Sequence, residues 1–305
     1  MAAAGGVYLA YAHDMQRINQ RITGESRLVT GKNAPVEISD FGTGPAILSL
    51  HGSGGGYDQA RLIATALGGD GFRWIAPSRF GYLRTPLPTD ASTAAQADAL
   101  AELLDGLGIE KVAILGMSGG VPPALQFALR YPGRISALVL VSSAPYTPLT
   151  LAQQKLPLPA WAYQALFRSD FPFWVLKKIA RGRLEAIFDI KPDVRAVLTP
   201  EEKAFLARVM DSFLPVSQRV AGVGNEGAAI DPGARYRLED IKAPTLVIHA
   251  RDDGINAFAL GEYTARHIPG AEFMALPSGG HLLLGHHSRV RARINAFLRA
   301  HTKNG

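Results

Sequence analysis

The sequence contains no cysteine, which excludes disulfide bonds, thiolate metal ligands and a cysteine nucleophile. It also lacks a strong excess of charge of either sign, because 32 Lys and Arg residues face 26 Asp and Glu residues, a net charge of +6. The basic residues are scattered, apart from a run near the C-terminus that is typical of the solvated face of a helix. We therefore expect no nucleic-acid-binding surface. Hydrophobic residues make up 47% of the 305 positions, enough for a large core.

No run of apolar residues approaches the roughly 20 that a membrane-spanning helix needs. Residues 1–12 (MAAAGGVYLAYA) are small and apolar, and no basic residue precedes them. We expect an N-terminal helix within residues 1–25 and a cytoplasmic protein. The alternative is that this stretch is the end of a trimmed anchor or export segment, which would associate the N-terminus with a membrane.

Short apolar runs alternate with helical patterns along most of the chain. Predicted strands cover residues 36–41, 46–50, 73–76, 112–115, 135–141, 245–249 and 271–275. Predicted helices cover residues 57–67, 92–107, 122–130, 258–267 and 288–300. Strands that are apolar on both faces and alternate with helices indicate an α/β fold with a mostly parallel central sheet flanked by helices.

The alternation stops between residues 147 and 238, where no β-rich run occurs. Helical patterns instead cover residues 160–168, 171–180 and 200–213, and two of the three tryptophans, Trp161 and Trp174, lie here. We interpret residues 147–238 as a helical cap inserted into one core. That core comprises residues 26–146 and 239–305.

The strongest local motif is Gly116-Met117-Ser118-Gly119-Gly120, which matches G-x-S-x-G between a predicted strand and a predicted helix. A turn this tight strains the serine backbone and leaves no room for flanking side chains, which glycine provides. The pattern predicts that the Ser118 hydroxyl is exposed at the carboxyl end of the strand, as a nucleophile must be.

A serine hydroxyl needs a base, and the base needs an acid that orients it. His281 follows the predicted strand 271–275 and is the candidate base. His249, inside a strand, and His51, at the start of a glycine loop, are expected to brace the structure. Asp252 and Asp253 both follow the strand 245–249, and spacing from the strand end favours Asp253 as the acid.

An oxyanion hole requires two main-chain N–H donors close to the nucleophile. Gly119, directly after Ser118, is expected to supply one of them. The loop His51-Gly52-Ser53-Gly54-Gly55-Gly56 follows another strand, and its glycines allow close approach of the backbone. We expect the second donor to be the amide of Ser53, with Gly54 the next choice.

These motifs, in the order Ser, Asp, His, resemble the α/β-hydrolase superfamily over roughly residues 36–301. His51-Gly52-Ser53 resembles its HG-x loop, residues 116–120 its nucleophile elbow, and Ser278–His281 its GGH ending. Residues 250–253 resemble its G-x-x-D, with Ala250 in place of glycine. Residues 77–82 resemble its D-x-P-G-Y/F-G segment, although Ser78 replaces the usual acidic residue.

The resemblance implies a capped serine hydrolase similar to bacterial carboxylesterases, acting on a small-molecule ester or acyl compound with no metal or organic cofactor. Gly54, Met117 and Trp174 are expected in the substrate pocket, with other cap aromatics, among them Phe167, Phe171, Phe173 and Phe213. Two alternatives stay open. The HGSGGG loop also resembles that of meta-cleavage-product C–C hydrolases, which would need a basic pocket residue such as Arg79. A non-catalytic ligand-binding module on the same scaffold is the other.

Overall fold

The computed structural model describes residues 2–30, 34–144, 168–228 and 236–302. Eight strands form one sheet: β1 Arg27–Thr30, β2 Pro35–Phe41, β3 Ala46–Leu50, β4 Arg73–Pro77, β5 Val112–Met117, β6 Ile135–Val141, β7 Thr245–Ala250 and β8 Glu272–Leu276. Their order is β1-β2-β4-β3-β5-β6-β7-β8, and only the β1–β2 and β2–β4 pairs are antiparallel. The predicted fold class is therefore confirmed.

Helices cover both faces of the sheet. Their bounds are α1 Ala2–Gly24, α2 Tyr57–Ile63, α3 Thr93–Gly106, α4 Val121–Arg130, α5 Asp170–Ile179, α6 Arg181–Ile187, α7 Pro192–Ala196, α8 Pro200–Ser212, α9 Val220–Ala228, α10 Phe258–His267 and α11 His287–His301. Helix α2 continues into a π-helical turn, Ala64–Gly68, which completes the helix predicted over residues 57–67.

The core consists of two layers, one on each face of the sheet. Successive side chains of a strand point to opposite faces, and β5 shows the consequence. Its residues Ala113 and Leu115 join one apolar cluster, while Val112 and Ile114 join the other. Burial on both faces explains why the central strands are continuous apolar runs.

The described part of the insertion between β6 and β7, residues 168–228, contains α5 to α9 and no strand. The predicted helices 171–180 and 200–213 correspond to α5 and α8. The predicted helix 160–168 lies outside the described residues except for its last position, as do Trp161 and Phe167.

Helix α1 contacts both the core and the insertion. The Tyr57 hydroxyl donates to the main-chain oxygen of Ile22 at 2.7 Å, and Trp174 Nε1 donates to Asp14 Oδ2 at 2.9 Å. Tyr11 packs edge-on against the Trp174 ring. Among the described helices, none has the length and apolar character needed to cross a bilayer.

Candidate active site

Four loops meet at the carboxyl edge of the sheet, because β3, β5, β7 and β8 are parallel and end there. They carry residues 51–56 after β3, Ser118 after β5, Asp253 after β7 and His281 after β8. Ligands of open α/β sheets bind at this edge.

Ser118 has the strained backbone that the motif predicts, with φ of +52°. A side chain at Gly120 would collide with the carbonyl oxygen of Leu50, and a Cβ on Gly116 would approach the oxygen of Gly120 to 2.9 Å. Val121 then begins α4, with prolines in its first turn. The glycines are thus required by close backbone approach, and they hold the serine in its strained conformation.

His281 is hydrogen-bonded to Asp253, with Nδ1 at 3.0 Å from Oδ2 and 3.2 Å from Oδ1. The Asp253 side chain is fully buried. Burial alone would raise the pKa of this carboxyl, but the charge of His281 and the hydrogen bonds that the carboxylate accepts hold its pKa well below the usual range. Burial would also lower the pKa of His281, yet the Asp253 charge outweighs it and the pKa is raised. Each group therefore stabilises the charged form of the other.

Asp252, the other candidate acid, faces a different set of groups. Its Oδ1 accepts from the amide of Gly280 at 2.9 Å, and Lys191 donates to its Oδ2 at 3.3 Å. No hydrogen bond or ion pair joins Asp252 to the His281 ring within the described ranges. It supports the loop that carries His281 but does not orient the imidazole.

The Ser118 hydroxyl and the His281 imidazole both line one cavity, without a hydrogen bond between them in the described part of the chain. The Ser118 Oγ instead accepts a long hydrogen bond, 3.5 Å, from Asn256 Nδ2. Catalytic hydrogen bonds are often long in sites without substrate and shorten when substrate binds. Ser118 and His281 line the same cavity, and proton transfer from the serine to the histidine requires that this hydrogen bond form when substrate binds.

Asn256 is a site residue that the sequence analysis missed. Its main-chain N–H donates to Asp253 Oδ1. Its side-chain Nδ2 donates to the carbonyl of Ser142 at 2.9 Å and also to Ser118 Oγ. It lies only three residues after Asp253, but nothing local indicates that its side chain reaches back over the sheet edge to a residue 138 positions earlier.

The cavity has a volume of about 80 Å³ and is mostly apolar. Its lining comprises Gly52, Ser53, Gln59, Ile63, Met117, Ser118, Phe188, Phe205, Val209, Met210, Phe213, Ile255, His281 and Leu282. Of the residues expected in the pocket, Met117 and Phe213 line it. Trp174 does not, because it packs against α1, and buried Gly54 donates instead to the Tyr82 hydroxyl at 3.3 Å.

The two expected oxyanion donors lie near the nucleophile. Ser53 lines the cavity, and Gly119 lies in the first turn after Ser118, where main-chain amides have no partner within the helix. Neighbouring Gly52 is unsuitable, because its amide already donates to Gln59 Oε1 at 3.1 Å. The geometry thus leaves Ser53 and Gly119 as the candidate pair.

His51 and Arg79 brace the oxyanion loop from behind. Arg79 donates from its amide to His51 Nε2 and from its Nε to the His51 carbonyl, both at 3.0 Å. Burial, together with the positive charge of Arg79, lowers the pKa of His51 well below its usual value, so this imidazole is neutral. Arg79 also forms an ion pair with Glu226 of α9, which accepts a hydrogen bond from Tyr82. No three His, Asp or Glu side chains of the described residues form a cluster suited to a metal ion.

Known proteins resemble the chain along most of its length. A family model described as alpha/beta hydrolase fold matches residues 45–287. The hydrolase YcgS of Bacillus subtilis is 30% identical over 84% of this chain and 91% of its own. A 2-hydroxy-6-oxononadienedioate/2-hydroxy-6-oxononatrienedioate hydrolase of Burkholderia vietnamiensis is 28% identical over 88% of this chain and 92% of its own. A solved alpha/beta hydrolase fold protein from Nakamurella multipartita superimposes with a TM-score of 0.72 at 26% identity, covering 90% of this chain and 99% of that one.

Proposed function

The chain belongs to the alpha/beta hydrolase fold family, and from this premise we propose that it is a serine hydrolase that cleaves carboxylic esters. In this proposal Ser118 is the nucleophile, His281 the general base and Asp253 the acid. The observation that carries it is the buried Asp253–His281 hydrogen bond at the rim of the cavity that the strained Ser118 also lines.

The reaction has two halves. His281 takes the hydroxyl proton as Ser118 attacks the ester carbonyl, and the amides of Ser53 and Gly119 hold the resulting oxyanion. His281 returns the proton to the departing alcohol, which leaves an acyl-enzyme. Water, deprotonated by His281, then attacks the acyl group and releases the carboxylic acid while Ser118 regains its proton.

The cavity favours an uncharged acyl group. The apolar residues that line it include Ile63, Phe188, Val209, Phe213 and Leu282, and none of the described lining residues is Lys or Arg. Burying a carboxylate among such groups without a cationic partner would be costly. An apolar ester, whose acyl chain loses only water contacts, suits these walls better.

C–C hydrolysis is the second candidate, supported by the similarity to the dienedioate hydrolase. The substrate in that protein's name carries two carboxylates, and Arg79, the basic residue that the sequence predicts for binding one of them, does not line the cavity. Its guanidinium is buried against Glu226 and His51. Ester hydrolysis therefore remains the preferred function.

A panel of nitrophenyl esters tests the proposal, with Ser118→Ala as the key variant. We expect hydrolysis by the native protein, labelling by a fluorophosphonate probe, and a loss of about 10⁴-fold or more in kcat for Ser118→Ala. Ser288→Ala, at an exposed serine of α11, is the matched control and should retain full activity. Full ester hydrolysis by Ser118→Ala would refute the mechanism. Turnover of a chromogenic ring-fission dienoate, with none of any ester, would favour the C–C hydrolase.

A further inference from the structure

A second imidazole, that of His249, lies against the Asp253 carboxylate. Its Nε2 is 3.2 Å from Asp253 Oδ2 and 3.2 Å from the main-chain oxygen of Asn256. Both side chains are fully buried. His249 belongs to β7 itself, four residues before Asp253, so its position is fixed by the sheet.

The surroundings of His249 determine which ring nitrogen carries the proton. Nε2 faces two acceptors, Asp253 and the Asn256 carbonyl, and must therefore be the donor. Nδ1 has no hydrogen-bond partner among the described residues, and a Cβ on Gly261 would lie 2.6 Å from it. A proton on Nδ1 would be buried without an acceptor, which is unfavourable. These contacts therefore place a proton on Nε2 and disfavour one on Nδ1.

We propose that His249 is a positioning residue of the reaction, donating from Nε2 to the Asp253 carboxylate and so fixing the direction and the charge that this carboxylate presents to His281. The inference rests on the proposed triad. It adds to the triad a fourth side chain, which touches neither the substrate nor the nucleophile.

The hydrogen bonds around Asp253 explain why one donor matters. Oδ1 accepts from the amides of Ile255 and Asn256, both at 2.9 Å, and the His281 ring contacts both oxygens. His249 is the additional donor near Oδ2. Each donor disperses part of the carboxylate's charge, so removing His249 leaves more of that charge to interact with His281.

Removing this donor should therefore raise the pKa of His281. Other charged groups near the imidazole remain in place: Asp189 from the insertion, and Asp252, which is held by Lys191 and the Gly280 amide. Because His281 must be neutral to accept the serine proton, a higher pKa moves the acid limb of kcat/KM to higher pH.

The experiment compares pH profiles of kcat/KM on a nitrophenyl ester. We expect His249→Leu to move the acid limb upward by about 0.5 to 1 pH unit. His249→Gln, whose amide can reach the same carboxylate, should bring the limb back near its native position. His267→Leu, at an exposed histidine at the end of α10, is the matched control. Loss of activity at every pH, with no shift of the limb in either His249 variant, would mean a merely structural role and overturn the inference.

Two measurements keep the inference testable if His249→Leu does not fold. Nitrogen-15 NMR of the native protein should show His249 protonated at Nε2 and not at Nδ1, and the opposite tautomer would overturn the proposal. The second measurement is the pKa of His281, followed by NMR, which needs no turnover. It compares Ser118→Ala alone with the double variants that also carry His249→Gln or His249→Leu. An upward shift for His249→Leu alone, in a protein that hydrolyses no ester, would refute the proposed function and support the role of His249.

Discussion

The charge of one imidazole sets the pH range in which this site can work. Burial lowers the pKa of His281, but Asp253 more than offsets it, so the group titrates above its ordinary value of 6.5. Above this raised pKa the ring is neutral and can act as a base. We therefore expect kcat/KM to be constant at alkaline pH and to fall as the pH drops through the raised pKa of His281, which an activity profile from pH 5 to 9 measures.

Asp253→Asn tests the origin of that shift. Without the carboxylate, burial dominates, so the acid limb should move to lower pH while kcat falls by roughly 10²- to 10⁴-fold. Asp252→Asn alters the neighbouring acid, which binds Gly280 rather than the imidazole, and should leave the limb near its native position. If the acid limb moved in Asp252→Asn and not in Asp253→Asn, the acid would be Asp252 and the proposed assignment would be wrong.

The local sequence identifies some of these site residues but not others. Ser118, His281 and Asp253 each follow a recognisable apolar strand, so strand ends and loop motifs were enough to select them. His249 was expected only to brace the structure, because a histidine inside a strand shows nothing of what lies beside it. Asn256 was missed altogether, since its contacts to Ser142 and Ser118 depend on how separate loops meet at the sheet edge.

Among elements, the link between α6 and α7 touches both loops that carry the acid and the base. Asp189, at φ of +64°, accepts from the Gly254 amide at 2.8 Å and also from the main chain of His281. A Cβ at Gly254 or Gly280 would approach its carboxylate to 2.5 and 2.9 Å. The insertion thus fixes the positions of the two loops relative to each other through the side chain of Asp189.

Asp189→Ala should loosen both loops and lower kcat by about 10- to 100-fold, with a smaller change in KM, because the base is misplaced while the apolar cavity is kept. Steady-state kinetics on one ester give this split. Asp189→Asn retains an acceptor oxygen without the charge and should recover much of kcat. Asp193→Ala, at an exposed acid of α7, serves as the control. Equal losses in Asp189→Ala and Asp193→Ala would argue against a role for this contact.

The sequence predicts strands best where they are buried, because burial makes their residues apolar. The seven predicted strands are observed within a residue or two, but β1 was missed because three of its four residues are exposed and it pairs only at the sheet edge. Trp174 was expected in the pocket, yet it packs on α1. Periodicity identifies an apolar helix face without telling which neighbour it covers.

For the whole molecule, a buried ion pair joins the insertion to the core. Arg219 is fully buried and binds Asp58 of α2 at 2.9 Å, and it also donates to the Gly55 carbonyl in the oxyanion loop. Among the described residues, the nearest other cation is Arg21, which lies 3.7 Å from Asp58 and is partly exposed. Removing Arg219 would leave the buried Asp58 carboxylate with little positive charge nearby to balance its own.

We therefore expect Arg219→Met to lower the free energy of unfolding by about 3–5 kcal/mol, measured by urea or thermal unfolding. Arg237→Met, at an exposed pair on the surface, should change it by well under about 1 kcal/mol. Replacing Asp58 as well, with Leu, should recover part of the loss, because no unpaired charge is then buried. A double variant no more stable than Arg219→Met would contradict this account.

The contact of Asp189 with Gly254 and Gly280 limits how this protein could be recombined with a relative. A chimera that kept this sheet and received a foreign insertion would retain the main-chain amides of Gly254 and His281 without the carboxylate that accepts from both. Such grafts should transfer a new substrate preference cleanly only when the donor segment brings an acidic residue to the same spot.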